Sequence, residues 1–384
     1  MNSLYVLAAG GTGGHLFPAM SLAKVLKSRG HTVVLFTDER AIQWVDSSCV
    51  DKVIVSRFRP SHSTRLLGKF HKRALAIGLL RCGVRSIFSF MWKRPNAVIG
   101  FGGYPSAPTI LAAQLLNIPS VVHECNAILG RANAILMKRA RAVTTGFPTV
   151  STRYTTKTGH RAVKPMAIAH QQFTGNPVSP KILRLTNIPY SLPSDGVFNI
   201  FIMGGSQGAS LFSRVVPEAI KQLAAKVKVR VIMQTRDEDI STSKYVYEQA
   251  RIEAVLAPFF TNIDEILQWA HIVISRSGAL SLAEIATAGV PSVLVPLANS
   301  LDGDQLYNAM QYEENGAAIV VQEHMFTTAK LVSVLDELCH SGDALIGISQ
   351  AVRKMYVTDA AERLAMAIAS VERKKLTRNK KTNA

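Results

Sequence analysis

Leu4-Tyr5-Val6-Leu7-Ala8-Ala9-Gly10-Gly11-Thr12-Gly13-Gly14-His15 lies near the N-terminus, an apolar run that breaks into glycines. The same construction returns half a chain later as Phe198-Asn199-Ile200-Phe201-Ile202-Met203-Gly204-Gly205-Ser206-Gln207-Gly208. An apolar run bounded by glycine reads as a buried strand ending in a tight turn. Glycine lets the backbone turn sharply and brings its N–H groups close to a ligand, and the start of the following helix favours negative charge there. Two such turns predict two nucleotide-type α/β domains facing each other across a cleft, an arrangement suited to joining two phosphorylated substrates.

Working outward, strand and helix alternate. In the first half, strands at 4–9, 31–37, 96–99 and 120–123 are interleaved with helices near 18–29, 108–116 and 131–139. In the second half, strands at 198–203, 229–234, 271–275 and 292–295 are interleaved with helices near 212–225, 263–270 and 281–288. This alternation predicts parallel sheets covered by helices on both faces. Gly175-Asn176-Pro177 marks the boundary between the halves.

The chain has 384 residues, 48% of them hydrophobic, enough for two full cores and too apolar for a disordered protein. Cys49, Cys82, Cys125 and Cys339 are scattered without a CxxC pair, which predicts free thiols in a reduced, cytoplasmic setting. No signal peptide is expected, because the run at 4–9 is too short. No transmembrane helix is expected either, because the best candidate, 74–92, contains Arg81 and Arg85.

The net charge of +18 is unevenly placed. Residues 1–175 carry 23 Lys+Arg against 5 Asp+Glu, whereas residues 176–384 carry 21 of each. The excess therefore belongs to the first half, and eleven cations stand between Asp51 and Glu124 without a single acid. From 57 to 94 these cations interleave with large apolar residues such as Leu80, Phe88, Met91 and Trp92. That pattern suits a face lying on anionic lipid, and equally an amphipathic helix packed on a sheet.

Several short motifs carry chemistry. Arg276-Ser277-Gly278-Ala279 opens a helix whose first amides can hold a diphosphate, and Glu284 lies where a carboxylate meets a ribose diol. His15 follows the first turn, where an imidazole suits a general base or merely positions the turn. His123-Glu124-Cys125-Asn126 closes an apolar strand, at the end of the sheet where ligands of this architecture bind. Asp302-Gly303-Asp304 has an Asp-x-Asp form but reads as a turn, so no metal site is expected. Asp38 and Glu39 sit where a dinucleotide enzyme keeps its ribose acid, which leaves a nicotinamide oxidoreductase open.

Taken together, these motifs resemble those of the MurG family, the N-acetylglucosaminyltransferases of bacterial peptidoglycan synthesis. The resemblance rests on Gly10-Gly11-Thr12-Gly13-Gly14-His15-Leu16-Phe17-Pro18, Gly100-Phe101-Gly102-Gly103-Tyr104, His123-Glu124-Cys125-Asn126, Gly175-Asn176-Pro177-Val178, Gly204-Gly205-Ser206-Gln207-Gly208-Ala209, Arg276-Ser277-Gly278-Ala279 with Glu284, and Gln305 with Asn308-Ala309. Each is unspecific alone, but together they run in family order along nearly the whole chain.

The resemblance implies an α/β chain of the GT-B fold, with Rossmann-like domains at 1–177 and 178–355 and a last helix, 356–372, returning to the first. It implies inverting transfer of N-acetylglucosamine from UDP-N-acetylglucosamine (UDP-GlcNAc) to the muramyl C4 hydroxyl of lipid I, giving lipid II, with no cofactor. By position, Ser206 and the helix start Ala279, Leu280, Ser281, Leu282 and Ala283 face the pyrophosphate. Glu284 faces the ribose, Gln305 the sugar hydroxyls and the Phe260 backbone the uracil. From the first domain, Thr12, Gly13, Gly14 and Asn126 reach the donor, and Gly13, Gly14, Tyr104, His123 and Asn126 line the acceptor. His15 is the expected base, with Glu124 as second candidate. The implied partners are UDP-GlcNAc, lipid I, anionic membrane lipids, and cell-wall and division proteins, with no nucleic acid. The implied location is peripheral, on the cytoplasmic face of the bacterial inner membrane.

Two residues depart from the family pattern. Ser179 replaces an arginine with a donor-side role, for which Lys181 or Arg184 are possible substitutes. Cys125 replaces a glutamine, and would be reactive if exposed and inert if buried. The competing readings are a diacylglycerol glycosyltransferase of the same fold, the nicotinamide enzyme, and a membrane-binding protein with a decayed site.

Overall fold

The computed structural model describes residues 2–11, 13–56, 69–103, 106–155, 161–166, 171–204, 210–300 and 303–372. The first lobe runs β1 (Leu4–Ala8), α1 (Gly13–Ser28), β2 (Thr32–Asp38), β3 (Lys52–Ser56), α2 (Lys69–Trp92), β4 (Ala97–Gly100), α3 (Ser106–Leu115), β5 (Ser120–Glu124), α4 (Arg131–Leu136), β6 (Ala142–Thr145), a hairpin of β7 (Ser151–Thr155) and β8 (Arg161–Pro165), and β9 (Gln171–Phe173). The second runs α5 (Pro180–Leu183), β10 (Val197–Met203), α6 (Ser210–Leu223), β11 (Lys228–Gln234), α7 (Asp237–Gln249), β12 (Glu253–Ala257), α8 (Ile263–Trp269), β13 (Ile272–Ser275), α9 (Ala279–Ala288), β14 (Ser292–Leu294), α10 (Asp304–Glu314), β15 (Ile319–Val320), α11 (Thr328–His340) and α12 (Gly342–Lys354). A final helix, α13 (Ala360–Val371), follows.

The large sheets have the orders β3-β2-β1-β4-β5-β6-β9 and β12-β11-β10-β13-β14-β15. Every pairing within them is parallel. Both sheets grow outward in two directions from their first strand, the doubly wound Rossmann pattern. The sequence fits it, since strands covered on both faces must be apolar throughout. Every residue of β1 is buried, as are Phe198 through Met203 of β10. Winding in both directions leaves a crevice at the carboxyl ends, beside β1 and β4 in one lobe and β10 and β13 in the other. Gly10 and Gly11 follow β1, and Gly204 follows β10, at those crevices.

The lobes share apolar packing. Cys125, Ala127 and Phe147 of the first lobe lie in one cluster with Ala279, Ala283 and Tyr312 of the second. The Phe147 and Tyr312 rings meet edge-on at 6.4 Å. Helix α13 packs on the first lobe, with Leu364, Ala365 and Ile368 in a core with Leu7, Leu22 and Ala23. Tyr5 Oη donates to Glu372 at 2.7 Å, and Arg29 pairs with Glu362. The outward and return crossings of the chain lie side by side. Gly175 has φ of +75°, and a Cβ there would stand 2.7 Å from Val357 Cβ, so glycine is required at this crossing.

Some elements differ from the sequence expectation. Helix α1 begins at Gly13 rather than near residue 18, so Pro18 lies inside it and His15 in its first turn. Helix α9 begins at Ala279, two residues before the expected start. Strands β3, β6 and β9 and helices α7 and α10–α12 were not anticipated. Because Leu364 is completely buried in a lobe remote in sequence, Leu364→Ala should cost about 2–5 kcal/mol. A drop in melting temperature by calorimetry is the expected result, and unchanged melting would show that α13 contributes little to the first core.

Candidate active site

His15 projects from the first turn of α1 toward the loop after β4. A Cβ on Gly102 would lie 3.3 Å from its ring and 3.6 Å from Asn133 Nδ2, so only glycine admits this approach. Burial lowers the His15 pKa, and a hydrogen bond to the Gly10 backbone offsets part of that shift. The ring is therefore neutral at physiological pH, the state a base requires. Gly13 is buried, and a Cβ there would meet the Phe17 ring at 2.8 Å. Thr12 and Tyr104 lie outside the described residues, as does Ser206 with its neighbours 205–209.

The end of β5 is a polar scaffold. His123 is fully buried, with Nδ1 3.0 Å from Thr144 Oγ1 and Nε2 3.2 Å from Asn176 Oδ1. Burial pushes its pKa down to about 4, so it is neutral. Both ring nitrogens are engaged within the protein. Asn176 also donates to the Cys125 carbonyl at 2.9 Å, tying the interlobe crossing to this strand end.

Glu124 is buried as well. Its Oε2 accepts from the Gly130 amide at 2.9 Å and Asn133 Nδ2 at 2.8 Å, and its Oε1 from the Asn126 amide at 3.1 Å. Burial raises its pKa and these donors counteract the rise. A carboxylate so engaged holds the 126–133 loop. Cys125 is buried, its thiol pushed well up by burial, so its departure from the family pattern introduces no reactive group.

The facing lobe presents the start of α9. Gly278 caps it without a side chain, so no side-chain cap covers the first-turn amides of Ala279, Leu280 and Ser281. Leu282 is buried in the core and its amide donates to the Gly278 carbonyl at 3.0 Å. Ala283 is buried too and reaches only the interlobe crevice. Arg276 is a clamp: it donates to the Val295 carbonyl and Glu323, each at 3.0 Å, and lies 5.0 Å over the Phe212 ring.

Glu284 is half-buried, and no described side chain hydrogen-bonds it. Burial alone pushes its pKa up to about 7. Gln305 Oε1 accepts the Leu297 amide at 3.1 Å, which leaves the two hydrogens on its Nε2 to donate elsewhere. Phe260 is partly buried against Phe201, with ring centroids 6.3 Å apart. Ser179 caps α5 by accepting from the Ile182 amide at 3.4 Å, while Lys181 and Arg184 are exposed. Asp304 starts α10 and its Oδ1 accepts the Gln305 amide at 2.9 Å, whereas Asp302 lies outside the described residues.

One junction escaped the sequence reading. Asn308 of α10 donates to Asn126 Oδ1 at 3.0 Å, and its Oδ1 accepts the Ala127 amide at 2.8 Å. The loop after β5 therefore meets helix α10 of the other lobe directly. The only sequence signal was the Asn308-Ala309 pair within the family resemblance.

A second surface lies on α2. Ile77, Leu80, Val84, Phe88 and Met91 are exposed at helical spacing, and Trp92 is 94% exposed. Leu111 and Leu115 of the adjoining α3 are exposed too, with Arg81, Arg85, Lys93 and Arg94 alongside. The opposite face of α2 packs inward through Ser86 and Phe90. No described helix is long and apolar enough to cross a membrane.

Residues 5–145 match the glycosyltransferase family 28 N-terminal domain, and residues 199–364 match the C-terminal domain of that family. A protein of Rhodopseudomonas palustris is 39% identical over 373 residues, covering 96% of each chain. It is named UDP-N-acetylglucosamine–N-acetylmuramyl-(pentapeptide) pyrophosphoryl-undecaprenol N-acetylglucosamine transferase. A Nitrobacter hamburgensis protein of the same name is 40% identical over 375 residues, covering 96% of this chain and 97% of its own. The crystal structure of Acinetobacter baumannii MurG superimposes with a TM-score of 0.74 at 27% identity, covering 96% of this chain and 99% of that one.

The Glu284 environment makes a prediction of definite sign. Its folded value lies above the ordinary carboxylate value, so its contribution to stability is present at acidic pH and lost as pH rises through about 7. Between pH 6 and 8 the melting temperature of the wild type should fall relative to that of Glu284→Gln. Parallel melting curves across that interval would show that the carboxyl is solvated like any surface acid.

Proposed function

The chain belongs to glycosyltransferase family 28, and from that premise we propose how it moves N-acetylglucosamine from UDP-GlcNAc to the muramyl hydroxyl of lipid I. Whole-chain relatives bearing the lipid I transferase name cover the acceptor half as well as the donor half, so a diacylglycerol transferase is not favoured. The observation that carries the mechanism is the contact of Asn308 on α10 with Asn126 in the loop after β5, while Asn308 also holds Ser277 in the turn after β13. Groups at the two crevices then face one reaction centre.

On the second lobe, the Ala279, Leu280 and Ser281 amides bind the pyrophosphate at the positive end of α9. They stabilise the charge that develops on the departing UDP, a contribution that needs no proton. Ser206 adds to this site, Glu284 accepts hydrogen bonds from the ribose, the Phe260 backbone reads the uracil, and Gln305 holds the sugar. On the first lobe, Thr12, Gly13, Gly14, Tyr104 and Asn126 line the acceptor. Neutral His15 removes the proton from the muramyl hydroxyl as that oxygen attacks the anomeric carbon from the face opposite UDP. Inversion follows from this single displacement. Glu124 and His123 hold the loop in place.

The acceptor is lipid-linked, so the first lobe must approach a membrane. The apolar stripe of α2 and its flanking cations suit the interface of an anionic leaflet, the apolar side chains dipping in and the cations meeting headgroups. On this reading the enzyme works at the cytoplasmic face of the inner membrane, near the cell-wall and division proteins that use its product.

A soluble lipid I analogue tests the chemistry. The wild type should convert it with UDP-GlcNAc. His15→Ala should lose about 10²–10⁴-fold in kcat while keeping thermal protection by UDP. Undiminished turnover would remove His15 as the base without touching the transferase assignment.

Vesicles containing phosphatidylglycerol test the membrane face. Phe88→Ser with Trp92→Ser should abolish co-sedimentation and leave turnover of the soluble analogue intact. Co-sedimentation at the wild-type level would place the membrane contact elsewhere.

A further inference from the structure

We propose that Asn308 is a positioning residue that registers the acceptor-side loop against the donor-side turn, so that catalysis depends on one buried carboxamide joining the lobes. The inference rests on the transferase reading and deepens it. Asn308 is completely buried. Its Nδ2 donates to the Ser277 carbonyl at 3.1 Å within its own lobe and to Asn126 Oδ1 at 3.0 Å across the cleft. Its Oδ1 accepts the Ala127 amide at 2.8 Å, also across the cleft.

The connections continue in both directions. Ser277 Oγ donates to the Gln305 carbonyl at 2.7 Å, one turn before Asn308 on α10. Ser277 also immediately precedes Gly278, the cap of α9. On the other side, the Asn126 amide donates to Glu124, whose carboxylate holds Asn133 at 2.8 Å. Asn133 stands beside the Gly102 approach to His15. The path therefore links the donor helix start to the surroundings of the base, through directed hydrogen bonds from Ser277 as far as Asn133. A carboxamide alone supplies the donor pair and the acceptor needed at this point. Apolar packing nearby, such as Phe147 on Tyr312, holds the lobes together but does not fix their register.

Asn308→Asp isolates the link. It keeps the acceptor for Ala127 but sets an oxygen against the oxygens of Asn126 and Ser277, where a donor stood. The expected result is a fall in kcat of about a hundredfold, the scale of a 1 Å misplacement. UDP affinity by calorimetry should stay within about threefold, because the donor site lies within one lobe. Small-angle scattering should show a broader distribution of interlobe distances than in the wild type. A kcat within about twofold of wild type, together with superimposable scattering, would overturn the proposal. So would equal loss of kcat and UDP affinity, the mark of a collapsed donor lobe.

Should Asn308→Asp fail to fold, Asn126→Ala removes one partner at a half-buried position, and because Asn126 also lines the acceptor the scattering readout decides. If the wild type itself transfers nothing to the lipid I analogue, the functional reading fails, and the scattering comparison still decides the interlobe link.

Discussion

Each sheet is wound outward in both directions from its first strand, and that constraint shapes the site. Connections leaving β1 and β4, or β10 and β13, pass to opposite faces of their sheet, so a gap opens between them. Backbone amides at that gap have no strand partner, and helix starts point into it. A molecule that binds phosphates through backbone groups needs little else. Placing two such sheets with their gaps facing each other brings a leaving group and a nucleophile together, and the side chains are left to orient and to move a proton.

The polar residues divide accordingly. His123, Glu124, Asn176 and Arg276 are buried and hydrogen-bonded, and they hold loops in place. Glu284 differs, being half-buried with no described side chain bonded to it and a raised pKa. A buried polar group without a protein partner is costly, and such a cost persists where a ligand supplies the missing partner. His15 stands between these cases, partly accessible and kept neutral by its surroundings.

Much of this was legible in the sequence, because glycine turns after apolar strands have few other uses. The strands 4–9 and 198–203 fixed the centres of both sheets. The start of α1 was misplaced because proline favours the first turn of a helix, whereas here Pro18 sits further in and Gly14 forgoes a helical bond. The pair α11 and α12 was not seen because Ser341 alone joins them, so no loop composition separates two amphipathic stretches. His123 and Glu124 stand out in the sequence, yet the hydrogen bonds they make depend on Thr144, Asn176 and Asn133, whose placement only the folded chain reveals. Asn308 was still less accessible, since its meaning depends on how two separately folded sheets are juxtaposed.

The return of α13 to the first lobe also bears on how the protein is made. Leu364, Ala365 and Ile368 complete a core begun by Tyr5 and Leu7, so β1 waits for a helix synthesised long after it. The downstream lobe has no such debt and finishes first, reversing the usual order of co-translational folding. Until the ends meet, the nascent upstream lobe exposes an unfinished apolar surface, and a chaperone has its natural place there.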